Sequence, residues 1–117
     1  MGFIPHYDDL PMDWVGDWAG RRAALTPRRT ALYDSSTQKS YSFEDMNDRA
    51  CRVATYLADT LALKKGDIVT LICRNRIEAI DLYLACGKLG LILAPLSQRL
   101  KKPELDDLLG RLKPRVL

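Results

Sequence analysis

The residues best placed to do chemistry in this sequence are arginines at the ends of apolar runs. Arg74 and Arg76 flank Asn75 just after Ile68–Cys73, and Arg99 follows Leu91–Leu96 by three residues. Read as strands of an open α/β sheet, those runs put the arginines at strand carboxyl ends, where such sheets bind ligands. Arg74 to Arg76 also precede a helical pattern, and a helix amino terminus offers unpaired N–H groups to an anion. Guanidinium groups gathered there suit a phosphate or a carboxylate. The competing reading is that each arginine solvates a loop end or pairs with a nearby carboxylate.

Other chemistries lack their residues. No Gly-x-Gly-x-x-Gly follows a strand, and there is no Gly-x-x-x-x-Gly-Lys-Ser/Thr phosphate loop. There is no Gly-x-Ser-x-Gly elbow either, and the one histidine, His6, leaves no general base for a serine or cysteine nucleophile in the folded part. Cys51, Cys73 and Cys86 are odd in number and show no Cys-x-x-Cys spacing, so they read as reduced small hydrophobes and not as a zinc site or a disulfide framework. Asp8-Asp9 and Asp106-Asp107 are sequence neighbours, which point apart on a helix and do not make a catalytic dyad.

Charge and hydropathy exclude further classes. Eighteen Lys+Arg against fifteen Asp+Glu leave +3, spread along the chain, which does not suggest nucleic-acid binding. The pairs Arg21-Arg22, Arg28-Arg29, Lys64-Lys65 and Lys101-Lys102 fall at element ends, where a positive charge is ordinary. The longest apolar stretch, Leu89 to Leu96, is far short of the ~20 residues that span a bilayer. No charged-then-apolar leader opens the chain, and Met1-Gly2 begins like a myristoylation signal but has His6 where Ser or Thr is wanted. A cytoplasmic protein is expected.

The elements that position the arginines can be read in order. At 117 residues the chain is one domain, long enough to bury about two thirds of its unfolded surface. Residues 1–12 read as a tail, and 13–117 as the domain. From Asp13, Trp14, Trp18, Ala19 and Leu25 recur at helical spacing until Pro27. Thr30–Tyr33 and Lys39–Ser42 predict a hairpin. Ser42 caps a helix with Asp45 at its third position, and Met46, Ala50, Val53, Ala54, Leu57 and Leu61 share one face.

Ile68–Cys73 reads as a strand buried on both faces of a parallel sheet. Asn75 caps the next helix with Glu78 at its third position, and Ile77, Ile80, Tyr83, Leu84 and Leu89 run to a left-handed Gly90. Leu91–Leu96 is a second buried strand with Pro95 near its end or on an edge, and Pro103 opens a helix carrying Leu105, Leu108, Leu109 and Leu112. Pro114 closes it, and Arg115–Leu117 looks like the opening of a third strand. The expected fold class is α/β, a short hairpin plus an open parallel βαβαβ sheet with flanking helices.

Several of these segments together resemble a family. Thr26-Pro27-Arg28-Arg29-Thr30-Ala31-Leu32, Tyr41 to Ala50 and Leu63-Lys64-Lys65-Gly66-Asp67-Ile68-Val69 are similar to the opening of AMP-dependent synthetases and ligases, the adenylate-forming acyl-CoA synthetase superfamily. Arg74-Asn75-Arg76-Ile77-Glu78 resembles the family's Asn-x-x-Glu helix start. Lys88 to Leu96 followed by Arg99-Leu100 resembles its Lys-Leu-Gly-Ala stretch and Pro-Leu-Asn-Pro-Arg-Leu, with Ser97-Gln98 in place of Asn-Pro. The likeness runs in unbroken order from about Trp14 to Leu117.

It implies the first, incomplete part of a large amino-terminal domain. The parent would be an ATP-dependent acid–thiol ligase, fatty-acyl or aryl specific, using ATP, Mg²⁺ and coenzyme A and acting through an acyl-adenylate. Its partners would be the remainder of the synthetase and the carboxylic acid. The family's phosphate loop and catalytic lysine have no counterpart here, so this chain alone is expected to be inactive and to hold no cofactor. Arg99 matches the arginine that approaches CoA phosphates in some members, in agreement with the strand-end anion site. Exposed edges would favour self-association. The alternative is a free-standing, non-enzymatic α/β module that binds a ligand or partner; a response receiver would need an aspartate at a strand's carboxyl end, and Asp67 lies at a strand's start.

Overall fold

A computed structural model of the chain describes residues 16–117. The tail read over 1–12, and the helical positions Asp13 and Trp14, lie outside the described residues. Helix α1 spans Trp18–Leu25 and starts where the Asp17 carboxylate accepts the Gly20 N–H at 3.1 Å, satisfying a donor that has no partner within the helix. It ends at Thr26, whose backbone is pushed away from helical angles by Pro27. Strands β1 (Thr30–Asp34) and β2 (Lys39–Ser42) pair antiparallel, Tyr33 opposite Ser40 and Asp34 opposite Lys39. Asp34 holds the turn by accepting from the Ser36 N–H at 3.0 Å and from its hydroxyl at 2.6 Å.

Helix α2 (Phe43–Thr55) opens on the expected capping box: Ser42 Oγ accepts the Asp45 N–H at 3.0 Å, and the Asp45 carboxylate accepts the Ser42 N–H at 2.9 Å. The predicted continuation to Leu61 is not α-helical. Tyr56–Thr60 widens into a π turn and stops at Ala62, with φ 53°. The wider turn keeps Leu57 in the core and lets the Leu63 N–H reach the Leu57 carbonyl at 3.0 Å, bringing Leu63 into the same cluster.

Strands β3 (Ile68–Ile72) and β4 (Ile92–Leu96) pair parallel, in register from Ile68↔Ile92 to Ile72↔Leu96, and helix α3 (Ile77–Leu89) crosses between them. Gly90 ends α3 at φ 70°, a left-handed conformation that costs glycine little. Helix α4 (Lys102–Leu112) has Pro103 in its first turn. The expected third strand is a single parallel bridge, Val69↔Val116, in which the Thr70 N–H donates to the Val116 carbonyl at 2.9 Å. Val116 therefore lies beside β3, on the side away from β4.

Three expectations need correction. Asn75 does not cap α3; Arg76 occupies the cap with no side-chain bond, so Glu78 falls at the second helical position and not the third. The strands are not buried along their length: in β3 only the neighbours Val69 and Thr70, which point to opposite faces, are buried, and in β4 no residue is, Ile92 being 52% exposed and Pro95 exposed, because β4 has no second neighbour among the described residues. Pro95 is tolerated inside β4 for that reason, since an edge needs no N–H there.

The third correction concerns the faces of α3 and α4. Ile80 and Tyr83 point outward, and α3 buries Asp81, Ala85, Cys86 and Lys88 instead. On α4 the leucine stripe is only half-buried. The core joins Ala54, Leu57 and Leu63 to Val69, Ala85, Cys86 and Leu91.

Candidate functional site

The hairpin turn and the β3–α3 loop face each other across an open groove of about 850 Å³, lined among others by Tyr33, Asp34, Tyr41, Arg49, Arg74 and Arg76. Two of the three arginines singled out from sequence therefore share one rim. Arg74 is exposed and its Nε donates to Gln98 Oε1 at 3.3 Å. Arg76 pairs with Glu78, Nε to Oε2 at 3.3 Å, with both side chains well exposed. Arg99 stands one loop away, outside the groove lining. Its backbone N–H donates to Ser97 Oγ at 3.1 Å and its side chain is exposed. Arg76 thus fits the carboxylate-pairing reading as well as the anion reading, while Gln98 links the Arg74 loop to the Arg99 loop.

Sequence reasoning missed the group under the groove floor. Arg49, in α2, donates from Nε to both Asp81 carboxylate oxygens at 3.1 Å and from Nη2 to Oδ2 at 2.8 Å, and its guanidinium lies 5.3 Å from the Tyr41 ring centre. The hydrogen bonds it donates to Asp81 raise the Arg49 pKa further, against a smaller effect of burial. On the same α2–α3 seam, Lys88 is 1% exposed and donates from Nζ to Asp17 Oδ1 at 2.8 Å and to Asn47 Oδ1 at 2.7 Å.

A sequence signal for this existed. Asp81, Ala85 and Lys88 stand at i, i+4 and i+7, and Met46, Ala50 and Ala54 stand at i, i+4 and i+8 on α2, so each set shares a helix face. Small residues let the helices approach, and the charges occur at both ends of the contact stripe.

The electrostatics follow from these pairs. Arg49 is answered by Asp81, so the free positive character of the rim rests on Arg74 and on Arg76 beside Glu78. Glu78 is held below the usual carboxylate range, first by its own backbone N–H at the start of α3 and then by Arg76. Burial pushes the Cys86 thiol up to about 11, which makes it a poor nucleophile. His6 lies outside the described residues. Among the described residues no group of three or more His, Cys, Asp or Glu side chains could hold a metal ion. The groove presents the exposed guanidinium groups of Arg74 and Arg76 beside the Asp34 and Glu78 carboxylates.

Comparison with known proteins agrees with the architecture. The family described as AMP-binding enzyme matches residues 20–117. The chain belongs to this family. Relatives of this chain include the long-chain-fatty-acid–CoA ligase FadD13 of Mycobacterium tuberculosis, 34% identical over 96 residues, 82% of this chain and 19% of that enzyme. A feruloyl-CoA synthase of Streptomyces sp is 33% identical over the same shares. The inhibitor-bound amino-terminal domain of FACL13 from M. tuberculosis superposes with a TM-score of 0.81 and 33% identity, covering 86% of this chain and 25% of that one. The chain thus spans about a fifth of the length of the curated relatives it matches.

Proposed function

We propose that the chain is the amino-terminal part of an ATP-dependent acid–thiol ligase, an acyl-CoA synthetase acting on a fatty-acyl or aryl acid. The observation that carries this is 33–34% identity across 82% of the chain to relatives named for coenzyme A ligation of a long-chain fatty acid and of ferulate. In such a reaction the carboxylate attacks ATP, giving an acyl-adenylate and pyrophosphate, and the thiol of coenzyme A then displaces AMP. ATP, Mg²⁺ and coenzyme A are cofactors of the parent. No metal step is placed on the described residues, which offer no ligand cluster.

Residues 13–117 form the first part of the amino-terminal domain after a tail over 1–12. The remainder of the synthetase supplies the reacting groups, so this chain alone does not adenylate. Arg74 and Arg76, with Arg99 from the neighbouring loop, contact phosphate oxygens of coenzyme A, the groove favouring the first two. The parent works in the cytoplasm; no described helix is long and apolar enough to cross a membrane. The open edge of β4 and the half-buried α4 leucines are the contacts through which the isolated chain associates with itself.

The test is to read the coding sequence past Leu117 and assay the protein it encodes. Acid-dependent exchange of pyrophosphate into ATP, followed by thioester formation, is expected from the longer protein and not from the 117-residue chain. A stop codon directly after Leu117, or a longer protein without exchange, would return the chain to the non-enzymatic α/β module.

A further inference from the structure

Helix α1 turns its largest residues away from the core. It buries Ala19, whereas Trp18 is 63% and Leu25 72% exposed. At 3.6 residues per turn, Trp18, Arg21, Arg22 and Leu25 fall within an arc of about 100°, and both arginines are exposed. Arg28 and Arg29, also exposed, follow Leu25 by three and four residues. From Trp18 to Tyr33 the chain has four arginines and no acidic residue.

Asp17 is engaged by Lys88. Among the described residues, Glu44, whose N–H donates to the Pro27 carbonyl at 3.0 Å, is an acidic residue beside the arginines. Arg22 lies 5.0 Å from the Phe43 ring centre, which steadies the guanidinium without removing its charge. An apolar hollow of about 220 Å³, lined by Trp18, Leu32, Phe43, Met46, Ile80 and Leu84, opens beside the same face.

We propose that this face of α1 docks on an anionic lipid surface, independently of the reading given above for the whole enzyme. Arg21 and Arg22 on the face, with Arg28 and Arg29 just beyond it in the chain, complement acidic headgroups, while Trp18, Leu25 and the hollow suit the apolar boundary just beneath them, the combination that holds a peripheral helix at a bilayer surface. A second copy fits poorly, because it would bring Arg21 and Arg22 against their own counterparts. A nucleic acid would reward the charge but leave Leu25 and Trp18 in water.

Co-sedimentation with vesicles of mixed phosphatidylglycerol and phosphatidylcholine tests the proposal. The chain should partition onto the anionic vesicles and hardly onto pure phosphatidylcholine. Arg21→Gln, Arg28→Gln and Arg29→Gln together should weaken partition by roughly fivefold per arginine removed; Arg22 is left in place because it stacks on Phe43. Trp18→Ser with Leu25→Ser should weaken it at least as much. In a Trp14→Phe chain, Trp18 is the one remaining tryptophan, and its emission should shift to the blue when anionic vesicles are added.

Absence of partition, or of the emission shift, overturns the proposal. Partition unmoved by the Trp18/Leu25 pair does so too, and equal affinity for duplex DNA that is likewise unmoved assigns the face to a nucleic acid. Light scattering that shows the pair dissolving a dimer assigns it to a second copy.

Discussion

Two regions of this molecule are built from basic side chains and use them in opposite ways. On the α2–α3 seam, Lys88 and Arg49 are buried or half-buried and meet Asp17, Asn47 and Asp81 at 2.7–3.1 Å. On the strand-end rim, Arg74 and Arg76 are exposed and meet weaker partners, Gln98 and Glu78, each at 3.3 Å. The difference lies in solvation. A charge removed from water must be answered by a partner of good geometry, so removing that partner is costly. An exposed pair competes with water and contributes little. Basic residues inside the seam fasten the fold, and those on the rim stay in contact with water.

The largest expected effect breaks the seam. Lys88→Met leaves Asp17 and Asn47 without their buried donor and should lower unfolding stability by about 3–5 kcal/mol, measured by urea denaturation. A loss below about 1 kcal/mol would mean that the buried lysine behaves like a surface charge, and the contrast would fail. The second test acts by shape alone. A Cβ at Gly87 would collide with the Gly16 carbonyl, where the chain entering α1 crosses α3. Gly87→Ala should therefore cost about 1–3 kcal/mol by overpacking and speed amide exchange in α1 more than in β3. Equal exchange in the two would show that α1 is not seated through this contact.

How legible each region was depends on whether local or distant contacts decide it. The hairpin, the Ser42–Asp45 box and the left-handed Gly90 were readable because each depends on residues within a few positions of one another. The β3–β4 strands were readable because β-branched apolar runs leave few alternatives, but their half-exposed state was not, since it depends on how many strands flank them. Counting apolar residues on α3 chose Ile80 and Tyr83 as the inner face and missed Asp81 and Lys88. Burial of those two is made possible by partners 32 and 71 positions away. At the rim, position at strand ends located Arg74 and Arg76 in one groove. Loop geometry then set Arg99 apart, which sequence spacing could not resolve.

A smaller effect tests the local bonds of the α2 cap. Ser42→Ala removes the acceptor for the Asp45 N–H and should cost about 1 kcal/mol. The same box depresses the Asp45 pKa below its ordinary 3.8, through the Ser42 N–H first and its hydroxyl second. A carboxylate depressed in the folded state stabilises above its unfolded pKa and loses that contribution as pH falls through the folded one. Stability should thus be level in this respect above about pH 5 and decline below 3.8, less steeply in Ser42→Ala because one of the two bonds to Asp45 is gone. Equal acid sensitivity of the two proteins would assign the decline to other carboxylates, Asp34 with its Ser36 bonds foremost.

The smallest expected change in stability is the one that sharpens the contrast most. Arg76→Ala removes an exposed ion pair and should shift the urea midpoint by less than the equivalent of about 1 kcal/mol; Glu78→Ala should do the same, and the double substitution should add no further coupling. If the rim binds phosphate oxygens, Arg74→Ala with Arg76→Ala should nonetheless raise the Michaelis constant for coenzyme A in the parent enzyme, with stability and adenylation unchanged. Lys88→Met should show the reverse pattern, a large loss of stability with no selective effect on coenzyme A. A rim that is neutral in both measurements would be only a solvated loop end, whereas one whose loss unfolds the chain would belong with the seam.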